Sequence, residues 1–292
     1  MSARHALAAM LFGVAAYPAA AQDAQSFVAK NLEARGGATA VDALKGVRFQ
    51  GRLVFPGDFE LKYEETRARL GTASASRVDA LLQGLDAVQA YDGHGGAWKI
   101  NPFQGRKDAE RMSADEARSL ADSSLLEGPL LASRHDGSEV QYLGREDFDG
   151  TLAYKLRVKQ KDGDEFTYLL DPDTYLEIKV DETRRLRGAQ QTTETELGDY
   201  EKVAGVYFPM SVESWQQGSP NQRQRVLIAS GEANPAVDAG YFAEPGGAAT
   251  LAKASPAAPD ASMKPQGKPG TKKPAGGKTP AAEPATPPKG SK

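Results

Sequence analysis

The residues that could do chemistry are few, and their spacing is unfavourable for it. Of the three histidines, only His94 and His135 lie beyond the extreme N-terminus, each beside a glycine or an aspartate. Asp92 and Asp136 make a metal pair conceivable, but no His-x-x-x-His or similar spacing sets two ligands on one face. Two solvated turn histidines are expected, and no metal. Cysteine is absent, which removes thiolate nucleophiles, disulfides and Cys-based zinc or iron–sulfur sites. There is no Gly-x-Ser-x-Gly elbow, no His-Glu-x-x-His and no nucleotide-binding glycine fingerprint after a strand. Tyr91–Gly96 is glycine-rich, yet no lysine or helix start follows to hold a phosphate; a tight turn is the expectation. Carboxylates are plentiful but alternate onto polar strand faces. The sequence therefore predicts no catalytic residue, no cofactor and no enzyme.

The remaining resource is apolar surface, and the elements that display it are mostly strands. Glu139–Gly231 reads as an antiparallel meander closed by Asp149-Gly150, Asp162-Gly163 and Asp171-Pro172-Asp173. Leu152, Tyr154, Leu156 and Val158 alternate with polar or small residues, which predicts one dry face and one wet one. Tyr168 with Leu170, Leu176 with Ile178 and Val180, and Phe208 with Met210 and Val212 continue the dry face. Pro209 points the other way and marks an edge or a bulge. Upstream, Val47, Phe49, Gly51, Leu53 and Phe55 alternate, Pro56-Gly57 turns, and Phe59, Leu61 and Tyr63 return. Thr66–Asp79 is rich in Ala and Ser and is expected as an edge strand, although small side chains would also suit a close neighbour. Ala87–Phe103 is a hairpin that carries Trp98.

Helices are short. Gln22–Arg35, stopped by Gly36-Gly37, is the first; a second opens at Thr39, with Val41 and Leu44 inward. Ser113-Ala114-Asp115-Glu116 is a capping box opening a helix with Leu120 on its apolar face. Leu125, Leu126, Leu130 and Leu131 follow, interrupted by Gly128-Pro129. This segment carries more leucine than a connection requires.

The two ends differ from the 292-residue whole. Residues 1–21 have the basic start, apolar centre and small-residue end of a secretory signal peptide, with cleavage expected between Ala21 and Gln22. Residues 246–292 hold half of the eighteen prolines and eight lysines against Asp260 and Glu283. Such a segment buries too little to offset its ordering entropy and is expected as a disordered tail. A cationic arm towards anionic envelope polymers is the sharper reading. Its +6 (eight minus two) leaves −9 for the rest of a chain whose total is −3. That acidity, with export, excludes nucleic acid as a partner.

Several short patterns together resemble the LolA/LolB-like superfamily, in particular outer-membrane lipoprotein-sorting proteins. They are Leu32-Glu33-Ala34-Arg35-Gly36-Gly37, Ala90-Tyr91-Asp92-Gly93 with Trp98, and Pro102-Phe103-Gln104-Gly105. Gly198-Asp199-Tyr200 with Val203, Gly205-Val206, Phe208-Pro209 and Asn234-Pro235 with Phe242 and Pro245 complete the set. The resemblance spans residues 22–245. It implies an α+β fold: an incomplete antiparallel β-barrel whose concave apolar face is covered by helices. It also implies a periplasmic carrier of lipid or lipoprotein acyl chains, with inner- and outer-membrane donor and acceptor partners. The groove is then expected at Trp98, Leu156, Val158, Tyr168, Leu170, Ile178, Phe208 and Met210. The lid is expected at Leu120, Leu125, Leu126, Leu130 and Leu131. The family's lid-closing arginine does not carry over to a position of this chain: Arg48, Arg52, Arg67 and Arg69 all lie in early strands, and spacing does not choose among them. A non-catalytic envelope sensor acting through protein contacts is the alternative.

Overall fold

The computed structural model describes residues 17–246; residues 1–16 of the expected signal segment and residues 247–292 of the expected tail lie outside them. The chain opens with two helices, α1 (Tyr17–Ala34) and α2 (Gly37–Ala43). α1 thus runs through the expected cleavage point. Thr39 lies inside α2 and does not cap it: Gly36 holds the N-cap position without a side-chain bond.

Six strands follow: β1 (Gly46–Phe55), β2 (Phe59–Leu70), β3 (Ala73–Leu82), β4 (Leu85–Tyr91), β5 (Ala97–Asn101) and β6 (Arg106–Arg111). Then come α3 (Ala114–Ser124) and α4 (Gly128–Asp136). Seven more strands return: β7 (Glu139–Phe148), β8 (Thr151–Lys159), β9 (Glu165–Leu170), β10 (Glu177–Leu186), β11 (Ala189–Val203), β12 (Val206–Gln216) and β13 (Gln224–Ala233). A short α5 (Ala239–Phe242) closes the described chain.

All thirteen strands form one antiparallel sheet in the order β6-β5-β4-β3-β2-β1-β13-β12-β11-β10-β9-β8-β7. The chain starts at the centre, walks out to the β6 edge, and re-enters at the β7 edge. β13 then closes the path against β1, with Val47 opposite Ala233. The sheet is an incomplete barrel, and α3–α4 is the segment that must cross from one edge to the other. The Ala- and Ser-rich β3 is interior, not an edge, because β4 of the Ala87–Phe103 hairpin pairs with it on the side away from β2, and β5 and then β6, unforeseen in the sequence, extend the sheet further. Its small residues receive α3: Ser76 Oγ donates to the Leu120 carbonyl, and Ser124 Oγ donates to that of Ser74.

α3 begins with the expected capping box, Ser113 Oγ accepting from the Glu116 N–H at 3.3 Å and Glu116 accepting from the Ser113 N–H at 2.9 Å. Across the trough, Asp122 meets Arg184 of β10 at 3.2 Å, and Asp164 meets the same guanidinium at 3.3 Å. α3 is therefore anchored on both halves of the sheet. Burial raises the pKa of Asp122 and of Asp164, with Arg184 opposing the rise in both.

The main core packs α1, α2 and α4 on the concave face. Val28, Leu130, Leu131, Leu156, Val158 and Leu170 are each at most 1% exposed there. Leu152, in the same phase, is exposed at the start of β8, beyond the last residue paired with β9. On the convex side, the segment after β13 folds back over β2 and β3. Asn234 Oδ1 accepts from the N–H groups of Lys45 and Gly46, and Phe242 packs on Ala68 and Ala75.

Candidate functional site

The concave face is not filled evenly. Leu61, Leu53, Val226, Val212 and Leu197 stand in register across β2, β1, β13, β12 and β11. Side chains directly opposite on neighbouring antiparallel strands share a face, so these five form one aliphatic row. Leu61 is buried, but Leu53, Val226, Val212 and Leu197 are only half-buried. They line or adjoin a cavity of about 270 Å³, with Leu126, Leu130 and Pro129 of the lid segment on its other side.

Two irregularities shape this cavity. The β1–β13 ladder carries a bulge at Gln50/Gly51, and a Cβ at Gly51 would collide with the Leu227 carbonyl oxygen. Glycine is required there because the partner backbone comes so close. β12 and β13 pair only between Ser211↔Leu227 and Ser214↔Gln224, so the start of β12 parts from β13. Arg35 fills the gap: Tyr207 N–H donates to its carbonyl at 2.9 Å, and its own Nε donates to the Tyr207 carbonyl at 2.7 Å. Pro209, which has no N–H to offer, falls in the unpaired part of β12, which explains why a proline is tolerated in an interior strand.

The cavity wall is apolar with charged pairs set into it. Phe49 and Phe208 meet edge to face, ring centroids 5.2 Å apart. Arg35 lies 5.4 Å from the Phe208 centroid and pairs with Glu177 at 3.1 Å. Tyr200 donates to the Glu177 side chain at 3.2 Å and to its carbonyl at 2.8 Å. Arg67 lies 6.0 Å from the Phe49 centroid and grips Glu65 in a fork, at 2.7 and 2.9 Å, while Tyr63 donates to Glu65 at 3.0 Å. Burial, then the Glu65 charge, pushes the Tyr63 hydroxyl well above its ordinary range. Burial, then Glu177, does the same for Tyr200 and Tyr168. All three phenols are neutral at neutral pH, and Tyr63 and Tyr200 act as donors.

Arg69, the fourth arginine in early strands, is the one that reaches the α3–α4 segment. Its Nη1 donates to the carbonyls of Val41, Asp42 and Leu44, and its Nη2 reaches Glu127, the residue before α4, at 2.6 Å. Arg48 and Arg52 pair with glutamates on the outer face, and Arg67 is committed to Glu65.

The residues expected from sequence fall into distinct places. Tyr168 and Phe208 line the cavity from the sheet, and Leu126 and Leu130 line it from the lid. Leu156, Val158, Leu170, Met210 and Leu131 are packed into the core beside it. Leu120 belongs to a separate cluster with Ala97 and Ala117, and Leu125 is half-buried at the C-cap of α3.

Two expectations are corrected. Trp98 faces away from the cavity, its Nε1 donating to the Phe242 carbonyl at 2.8 Å. Strand alternation gives the α3 side to its neighbour Ala97 instead. Ile178 is displaced by a bulge between Glu177 and Lys179. The extra residue shifts the alternation, leaving Glu177 and Val180 in the cavity and Ile178 in a shallow depression with Phe148, Gly198 and Ser211.

Of the two histidines expected in turns, His94 is in one, but His135 lies in the last turn of α4. Asp92 accepts from the His94 N–H at 2.7 Å, and Asp136 accepts from the Ser138 N–H at 2.7 Å. His135 Nε2 sits 3.6 Å from Glu127.

Three solved structures share this arrangement. One is described as an outer membrane lipoprotein-sorting protein domain from Vibrio parahaemolyticus: 12% identity, TM-score 0.53, 76% of this chain and 97% of that one covered. A DUF1329 family protein from Desulfovibrio piger gives 10% identity, TM-score 0.54, and coverage of 75% and 97%. A LolA superfamily protein from Nitrosomonas europaea gives 14% identity, TM-score 0.50, and coverage of 75% and 97%. No family model matches the sequence, nor does any curated protein. The chain has a LolA/LolB-like fold. At these identities the likeness speaks for the architecture alone.

Proposed function

We propose that the protein is a non-catalytic carrier in the bacterial envelope that shelters an acyl chain between the sheet and the α3–α4 crossing. The observation that carries this reading is the aliphatic row Leu53–Val226–Val212–Leu197. Three neighbouring strands present half-buried aliphatic side chains, Val226, Val212 and Leu197, to a cavity, where a packed domain would bury them, and Leu53 continues the row beside them. An acyl chain of about 15 methylenes costs roughly 12 kcal/mol in water at ~0.8 each. A carrier offsets most of that with apolar wall, needs no nucleophile, and must open to release. The glutamates in the wall are each tied to an arginine (Glu65 to Arg67, Glu177 to Arg35, Glu127 to Arg69), an arrangement that suits structure and orientation.

Export by residues 1–21 and a periplasmic location belong to the same reading. No described helix is long and apolar enough to cross a membrane.

The test is direct. Protein purified from an exporting host is extracted for lipid mass spectrometry, then delipidated and titrated with a fluorescent acyl probe. Co-purifying acyl lipid and saturable uptake are expected. A lipid-free protein with no uptake would sink the carrier reading in favour of an envelope module that binds protein, a role the solid packing of Leu156, Val158 and Leu170 would also serve.

A further inference from the structure

The hydrogen-bond inventory of the cavity is lopsided. Beside the Phe49–Phe208 pair the carboxylates are spoken for: Glu65 Oε1 takes Arg67 Nε, and Glu65 Oε2 takes Arg67 Nη2 and Tyr63, while Glu127, also in the wall, takes Arg69 on Oε2 alone. Glu177 Oε1 takes Arg35 Nη1, and its Oε2 takes Tyr200. The donors are not used up. Arg35 spends Nε on Tyr207 and Nη1 on Glu177, which leaves Nη2 without a partner among the described residues. Arg67 spends Nε and Nη2 on Glu65, which leaves Nη1. Neither leftover nitrogen is sealed inside the protein, and 26% of the Arg67 side chain remains open although it lines the cavity.

Guanidinium donors have no acceptor capacity and do not deprotonate in proteins. A ligand head that meets them must therefore accept hydrogen bonds. Arg35 lies against Phe208 and Arg67 against Phe49, the two rings are in contact, and both guanidiniums line the cavity. The aliphatic row crosses the same strands four residues further along, at Leu53 of β1 and Val212 of β12. At about 270 Å³ the space lies at the lower limit for small-molecule pockets, roughly 300–1,000 Å³, which suits one chain and not three.

Resting on the carrier reading above, we propose that the ligand is a single-chain amphiphile with an oxyanion head, the fatty-acid class. Its carboxylate would be received by Arg35 Nη2 and Arg67 Nη1, and its chain would lie along Leu197, Val212 and Val226. Charge-assisted bonds from fixed guanidinium forks are stronger than neutral ones. The head therefore contributes selectivity that an apolar groove alone lacks.

The experiment compares palmitate, hexadecanol and hexadecylamine as competitors of a fluorescent acyl probe on the delipidated full-length protein. Palmitate is expected to bind on the order of tenfold or more tighter than the alcohol, and the amine weaker than the alcohol. In Arg67→Met the alcohol should still bind while the palmitate preference collapses; retained alcohol binding also reports that the variant is folded. Independently of any variant, carboxyl-labelled palmitate bound to the wild-type protein should titrate, by carbon NMR, below its range in water. Equal binding of acid and alcohol, a preference that survives Arg67→Met, or a carboxyl titrating at or above its aqueous range would overturn the assignment and leave the carrier reading standing. Failure of all three chains to bind would overturn both.

Discussion

Val212 stands at the centre of the aliphatic row, between Leu197 and Val226, and its substitution separates a cavity from a core. In Val212→Trp the indole projects from an interior strand into the space of about 270 Å³ under Leu126 and Leu130. If that space is open, the ring fills it, gains apolar burial and costs no repacking, so the melting temperature should hold or rise. An acyl ligand then loses the wall it would have covered. Exclusion of roughly four methylenes at ~0.8 kcal/mol each is ~3 kcal/mol, about a 200-fold loss of affinity. If the space is instead closed packing, overfilling costs about 1–3 kcal/mol and lowers the melting temperature by about 2–4 °C per kcal/mol in a domain of this size. The assays are differential scanning fluorimetry and titration with a fluorescent acyl probe, run on the same preparation. A melting point depressed by several degrees with acyl uptake unchanged would refute the reasoning.

Arg69→Met leaves Glu127 buried without its cation and three carbonyls at the end of α2 without their donor. Although Arg69 is partly open, a loss of about 2–3 kcal/mol is expected, with amide exchange in α4 accelerated more than in β8 or β9; uniform acceleration would deny Arg69 a lid role. Leu126 is 2% exposed, so Leu126→Asp should cost about 3 kcal/mol or more and lower the melting point. Leu125→Asp at the half-buried C-cap should cost well under half of that; equal losses would mean the two leucines are packed alike. Glu116 is held down to about 2, first by the hydrogen bond from Lys99 and then by the Ser113 N–H. A depressed carboxylate contributes stability that is present above its unfolded pKa and is lost as pH falls towards 2. Because the group is partly open and screened, about 1 kcal/mol is expected, and Glu116→Gln should lose stability at pH 6 but be indistinguishable from wild type near pH 2.

Much of the architecture could be read from alternation and turns, because each needs only neighbouring residues. The capping box at Ser113 and the break at Gly128-Pro129 were legible for the same reason. The charged wall of the cavity was legible in part. Leu61 and Tyr63 set the inward phase of β2, and two more steps along the same period arrive at Glu65 and Arg67; hydrophobicity, not phase, kept them off the expected groove. Ile178 was out of reach, since the bulge beside it is a mismatch between β10 and β9. Trp98 was assigned to the wrong face because strand alternation defines two faces without saying which one a helix will cover. Small Ala97, Ser74 and Ser76 take α3, and the large indole takes Phe242. Arg35 and Glu177 are 142 positions apart, a pairing that only the closed path of the sheet creates.

The α3–α4 crossing is forced by the topology. A meander that leaves from β1 and returns to it through β13 has its two free edges at β6 and β7, and the chain must pass between them exactly once. Passing over the concave face lets this one segment both connect the halves and cover the apolar row. It also limits how the cover can move. α3 is held to β3 by Ser76 and Ser124 and to β10 by Asp122–Arg184, so it resists displacement from both sides of the trough. α4 lies between Gly128 and Gly137, both in left-handed backbone with φ of 75° and 82°, conformations that glycine adopts without strain. α4 is held differently, by the packing of Leu130 and Leu131 on the core and by Arg69–Glu127 at its start, so the two helices of the crossing are secured by separate sets of contacts.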